Sequence, residues 1–109
     1  MQPGESRLTA ETIASLPPLR GAKIRVPQHV VYRTFPSETV VLNLNTGKYH
    51  GLNGTAGQML DALERSATLR QAAGIVSEAY RRPRAAVEQD MCQLCEALLE
   101  RGLIEIDGG

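Results

Sequence analysis

The stretch VVLNLNTGKYHGLN, Val40 to Asn53, decides how this chain folds. β-branched and aromatic residues stand on both sides of Asn45-Thr46-Gly47, so two short strands are expected around a reversal. A turn with positive φ at both central positions would force β-branched Thr46 into a poor conformation. A type I turn through Asn45 and Thr46, followed by a bulge at a left-handed Gly47, suits every residue. That register predicts Val40, Leu42, Lys48, His50 and Leu52 on the face that covers the helices, with Val41, Asn43, Tyr49 and Gly51 on the other. A one-residue slip at the turn would exchange the faces.

Working outward, HVVYR (His29 to Arg33) is a further strand, separated from Thr39 to Leu44 by a turn at Pro36 and Ser37. Connections this short favour an antiparallel three-stranded meander. Lys48 to Leu52 is then an edge strand, because Thr39 to Leu44 occupies its other side. Three helices follow. The first is capped by Asn53 or Thr55 and has an apolar stripe at Ala56, Met59, Leu60 and Leu63. The second starts at Thr68, with Gln71 in the capping-box position and Leu69, Ala72, Ile75, Val76 and Tyr80 facing inward. The third starts at Pro83 and ends at Gly102, with a stripe of Val87, Met91, Leu94, Cys95 and Leu98. LIEI, Leu103 to Ile106, alternates as a short terminal strand would. The expected class is α+β, a meander followed by three helices, in an order that resembles a winged helix-turn-helix.

The 109 residues suffice for one modest core. Residues 1–22 are rich in Pro, Gly and Ser and read as a tail or arm, leaving 23–109 as the domain. The 12 basic and 12 acidic residues cancel, so no global field recruits nucleic acid or an anionic membrane. The basic cluster Arg81, Arg82 and Arg84 reads as a solvated turn between helices. No apolar run approaches the roughly 20 residues that span a bilayer. The N-terminus lacks the basic and apolar segments of a secretion signal, so a cytoplasmic protein is expected.

Chemistry-bearing residues are sparse. His50 has only His29 as a possible fellow ligand and no carboxylate cluster, which favours packing or a hydrogen bond over a metal. Tyr49 is either a partly buried strand aromatic or the wall of a site. Gly51 is either a close-approach point or a bulge. Cys92-Gln-Leu-Cys95 lies mid-helix without a second pair, so neither the helix-start dipole of a redox dithiol nor four zinc ligands are available. Small packing residues are the better reading. Glu78, Glu88 and Asp90 have ordinary surface spacing. There is no phosphate loop, nucleophile elbow or triad, and neither catalysis nor a cofactor is expected.

The block LNLNTGKYHGLN, the following capped helices and the ending V..DM..L...L..RGLIE resemble the PqqD-like proteins, also called the RiPP recognition element, over Val26 to Ile106. The wording TGKYHGLN with LC.ALLERGL is most similar to the discrete members that serve lasso-peptide biosynthesis. The resemblance implies a non-catalytic adaptor that holds the leader of a ribosomally made precursor peptide and presents it to a leader peptidase and a cyclase, or to another modifying enzyme. It implies that the leader adds as a strand to the third strand of the meander, against the third helix. The implied peptide-binding residues are Lys48, Tyr49, His50, Gly51, Leu52, Glu88, Cys92, Cys95 and Leu99. Strand addition suits an edge strand, whose unpaired N–H and C=O groups give affinity while side-chain pockets give selectivity. An alternative is the same adaptor role in pyrroloquinoline quinone assembly or another peptide-modifying pathway. A winged-helix DNA-binding regulator is disfavoured, because the would-be recognition helix carries Glu88, Asp90, Glu96 and Glu100 against Arg84 and Arg101.

Overall fold

The NTG reversal forms, but with a longer loop than the bulged turn. In the computed structural model, which describes residues 19–107, Asn43 pairs with Lys48, and Leu44 to Gly47 make a four-residue connection. The Asn43 side-chain carbonyl accepts from the amides of Asn45 and Thr46, and the Gly47 amide donates to the Asn43 carbonyl at 2.7 Å. Gly47 does take the left-handed conformation, φ 74°. The extra loop residue slips the register by one. Val41 therefore lies opposite His50, and Thr39 opposite Leu52. Val41, Thr39 and Asn43 are buried, whereas Val40 and Leu42 stand on the outer face, contrary to the sequence expectation. Leu52 faces the helices as expected, and Tyr49 and Gly51 face away.

The elements are a 3₁₀ turn (Leu19–Gly21), β1 (Lys23–Arg25), β2 (Val30–Thr34), β3 (Glu38–Asn43), β4 (Lys48–Asn53), α1 (Gly54–Arg65), α2 (Leu69–Tyr80), α3 (Arg84–Glu100) and β5 (Glu105–Asp107). β2, β3 and β4 form the antiparallel meander in that order. The terminal strand pairs antiparallel with β1, Ile24 opposite Ile106, in a second small sheet. A strand at Lys23–Arg25 was not expected. It is too short to show a period, and its partner lies at the far end of the chain. Within the segment read as an arm, residues 1–18 lie outside the described residues. Leu19 packs on the core, and buried Ala22 accepts a bond from the Leu69 amide.

The helix starts follow their caps. Asn53 Oδ1 accepts from the Ala56 amide and Thr68 Oγ1 from the Gln71 amide. Gln71 reaches back to the Ala67 amide rather than to Thr68. Pro83 precedes α3, and Gly102 closes it at φ 71°. α1 lies against β3 and α2, and α2 against α3. Met59, Leu60, Leu63, Leu69, Ala72, Val76, Val87, Met91, Cys95 and Leu98 join Ile24, Val41 and Leu52 in one core. Two expected core residues of α2 fall outside it: Ile75 and Tyr80 are exposed, and Ala73 takes the inward position. The buried stripe of α2 runs through Leu69, Ala72, Ala73 and Val76, and Ile75 lies about 100° round the helix from Val76.

Candidate functional site: the open edge of β4

β4 has one strand neighbour. On its other side no described strand pairs with it, so its backbone edge is open. This follows from the chain's local rules: the NTG loop returns the chain beside β3, and the Asn53 cap starts α1 at once, so no strand follows β4 directly. Along the edge Lys48, Tyr49 and Gly51 are exposed, His50 is half-buried, and Leu52 is buried. Pairing runs unbroken from Asn43–Lys48 to Glu38–Asn53, so Gly51 is not a bulge. A Cβ at Gly51 would meet nothing within 4 Å, so the outer face is open at that position.

The residues expected on α3 divide by burial. Glu88, Cys92 and Leu99 are half-buried on its flank, while Cys95 is fully buried. Leu52 and Cys95 belong to the common core, and Cys92 and Leu99 pack on it from outside. β4 itself packs on α1, whereas α3 packs on α2 and the 3₁₀ turn. Leu52 and Cys95 are thus core residues, whereas Lys48 to Gly51 on β4 and Cys92 and Leu99 on α3 face solvent at least in part. Glu88 is held by Arg20 at 2.8 Å and by Arg84 at 3.6 Å, which ties the 3₁₀ turn to the start of α3.

The cysteines are not activated. Burial pushes the Cys95 thiol up to about 12, with smaller contributions from Cys92 and Glu96. Burial also raises the Cys92 thiol, outweighing the lowering influence of Arg20. Both stay protonated at neutral pH, unlike a redox dithiol. Among the described residues no group of three or more His, Cys, Asp or Glu side chains could hold a metal ion. No described helix is long and apolar enough to cross a membrane.

One feature of the surface escaped the sequence reading. With the register slipped, Val31, Arg33, Phe35, Val40, Leu42 and Tyr49 line a shallow groove of about 450 Å³ on the outer face of the sheet. Only the loop length carried its signal, since alternation alone does not say which face of β3 turns outward.

The order and packing define an α+β domain of winged helix-turn-helix type with an unpaired sheet edge, an arrangement suited to taking up an extended peptide. Residues 38–104 match the sequence model of the family described as coenzyme PQQ synthesis protein D (PqqD), and the chain belongs to that family. Among solved structures it is similar to TbiB1 in complex with the TbiA(beta) leader peptide, with TM-score 0.67 and 26% identity over 78% of this chain and 96% of that one. It also shares the fold of a lasso peptide synthetase B1 complexed with the leader peptide, with TM-score 0.68 and 24% identity over 77% of this chain and 99% of that one. A search of curated proteins finds no match.

Proposed function

We propose that this protein is a non-catalytic, cytoplasmic adaptor that binds the leader of a ribosomally synthesised precursor, a lasso-peptide precursor by preference, and presents it to a leader peptidase and a cyclase. The leader adds as a strand along Lys48 to Leu52, and its alternate side chains enter the space toward Glu88, Cys92 and Leu99 on α3. Leu52 and Cys95 support that space from behind. The open edge of β4 carries the reading: it offers main-chain donors and acceptors, while the half-buried flank of α3 supplies apolar contact. Support also comes from the likeness to TbiB1, whose structure holds a leader peptide. The family's description favours, as a second reading, the same adaptor role in the synthesis of coenzyme PQQ. A DNA-binding role has little support, since Glu88, Asp90, Glu96 and Glu100 on α3 are set against phosphate.

Calorimetry with the two halves of the cognate precursor tests the proposal. The leader should bind with micromolar affinity or better, about −8 kcal/mol or stronger, and the core segment should not bind. Tyr49→Ala and Leu99→Ala should each weaken leader binding by about 1–2 kcal/mol. Equal binding of leader and core would overturn the adaptor role.

A further inference from the structure

Resting on the leader-binding reading, we propose that Arg20 is a specificity residue of the leader site, where its guanidinium receives a carboxylate side chain of the leader. Arg20 stands on the 3₁₀ turn before β1, outside the stretch 38–104 that matches the family model. The turn is firmly seated: Leu19 packs on the core, and the Ala22 amide donates to the Leu19 carbonyl at 3.0 Å. From there Arg20 reaches the α3 flank, its Nε donating to Glu88 Oε1 at 2.8 Å. Cys92 lies one helical turn beyond Glu88 on the same flank. The Arg20 charge is felt there too: burial raises the Cys92 thiol, and Arg20 is the group that opposes it.

Charge and unused donors select the ligand. Two guanidiniums, of Arg20 and Arg84, share the single carboxylate of Glu88, whose side chain is 14% exposed. Arg84 is engaged twice, its Nε 3.6 Å from Glu88 Oε2 and its Nη2 donating to the Arg70 carbonyl. Arg20 uses only its Nε, and its two terminal nitrogens make no hydrogen bond among the described residues. Other carboxylates of α3 do not take them: Asp90 pairs with Arg82, and Glu96 and Glu100 form no ion pair among the described residues. A planar guanidinium held through Nε and open at its far edge is preset for a second carboxylate. An unmodified ribosomal leader carries negative side-chain charge only as aspartate or glutamate. Because Glu88 already orients Arg20, capturing such a group costs less side-chain freedom than a loose arginine would lose. A lysine or arginine of a wrong leader at the same place meets surplus positive charge, which turns the contact into selectivity.

The test measures binding of a fluorescent cognate leader to the full-length protein. The leader is made as its C-terminal amide, so that side chains supply its only carboxylates, and each Asp and Glu is replaced in turn by Asn or Gln. Wild type, Arg20→Gln and Arg20→Glu are compared, with folding checked by circular dichroism. One leader replacement should weaken binding to wild type by about tenfold, as loss of a charge-assisted bond does. Arg20→Gln should weaken the native leader by about as much, and on that variant the same replacement should cost less than about twofold more. Arg20→Glu should prefer a leader with lysine at that position to the native leader, the reverse of the wild-type order. Arg20 also holds Glu88, and a merely structural role would weaken every leader alike. Equal losses across the leader panel would therefore overturn the proposal. Arg20→Gln binding the native leader within about twofold of wild type would do the same. The wild-type protein alone also decides: if no acidic replacement in the leader weakens binding, the carboxylate contact is absent. Each of these results leaves the leader-binding reading intact. Wild type that fails to bind leader would overturn that reading and this inference with it.

Discussion

At Gly57 α1 lies close against Thr39 of β3, and Gly57→Ala should destabilise the fold. A Cβ built at Gly57 would lie 2.0 Å from Thr39 Oγ1 and 2.7 Å from Thr39 Cβ, far inside van der Waals contact. Thr39 has no room to retreat: it is 0% exposed, and its hydroxyl bonds Thr34 Oγ1 at 3.3 Å. Two effects compete. Alanine should gain about 1 kcal/mol of helix propensity over glycine. Overpacking a filled core costs about 1–3 kcal/mol and more when the obstacle is close to the backbone, as Cβ of Thr39 is. Because α1 would have to lift off β3, the cost should lie at the upper end of that range and leave a net loss of about 2 kcal/mol. At this domain size each kcal/mol lowers Tm by about 4–8 °C. Urea denaturation followed by circular dichroism measures the loss. Adding Thr39→Ala removes the nearest atom and should recover part of it, with a coupling of about 0.5 kcal/mol or more. A Gly57→Ala variant as stable as wild type, or strict additivity with Thr39→Ala, would refute the close approach of α1 and β3.

Other consequences concern the thiols and pH. Cys95 should resist thiol-specific reagents in the native state at neutral pH, and Cys95→Ala should lower stability by about 1–3 kcal/mol without abolishing leader binding. Rapid labelling of Cys95, or stoichiometric zinc in the purified protein, would contradict its packing role. The folded state holds the Cys95 proton more tightly than the unfolded chain does, its thiol being moved from 9.0 to about 12. The stability this contributes is whole below about pH 9 and is lost as pH rises toward 12. The unfolding free energy measured with urea should therefore fall through that window, by up to about 1.4 kcal/mol per pH unit. Cys95→Ala should flatten the fall. An unchanged slope would assign the loss to Tyr32, whose phenol is also raised by burial and by Glu64.

Where a residue's local chemistry decided its conformation, the sequence was legible. Left-handed Gly47 and Gly102, the caps at Asn53 and Thr68, and Pro83 before α3 all stand where their residue types predict. The register was not legible because backbone strain at Thr46 is not the only force on the loop. The Asn43 side chain, which gathers two loop amides, stabilises the longer connection. That single residue turned Val40 and Leu42 outward and hid the outer groove. β1 was invisible because its pairing with β5 spans nearly the whole domain. Of the candidate site, the open edge of β4 followed from strand order, and the helix flank came from the resemblance. Burial then separated Cys95 and Leu52, which lie in the core, from Tyr49, which is exposed, and Cys92 and Leu99, which are half-buried.

The central claim is that a leader peptide becomes the next strand beside β4. Amide hydrogen exchange of the full-length protein, with and without a saturating cognate leader, tests it most directly. Strand addition predicts slowed exchange at alternate amides within residues 48–53, with accompanying protection along the α3 flank from Glu88 to Leu99. Leader binding that leaves residues 48–53 unprotected, or that confines protection to α2 at Leu69–Tyr80, would contradict it.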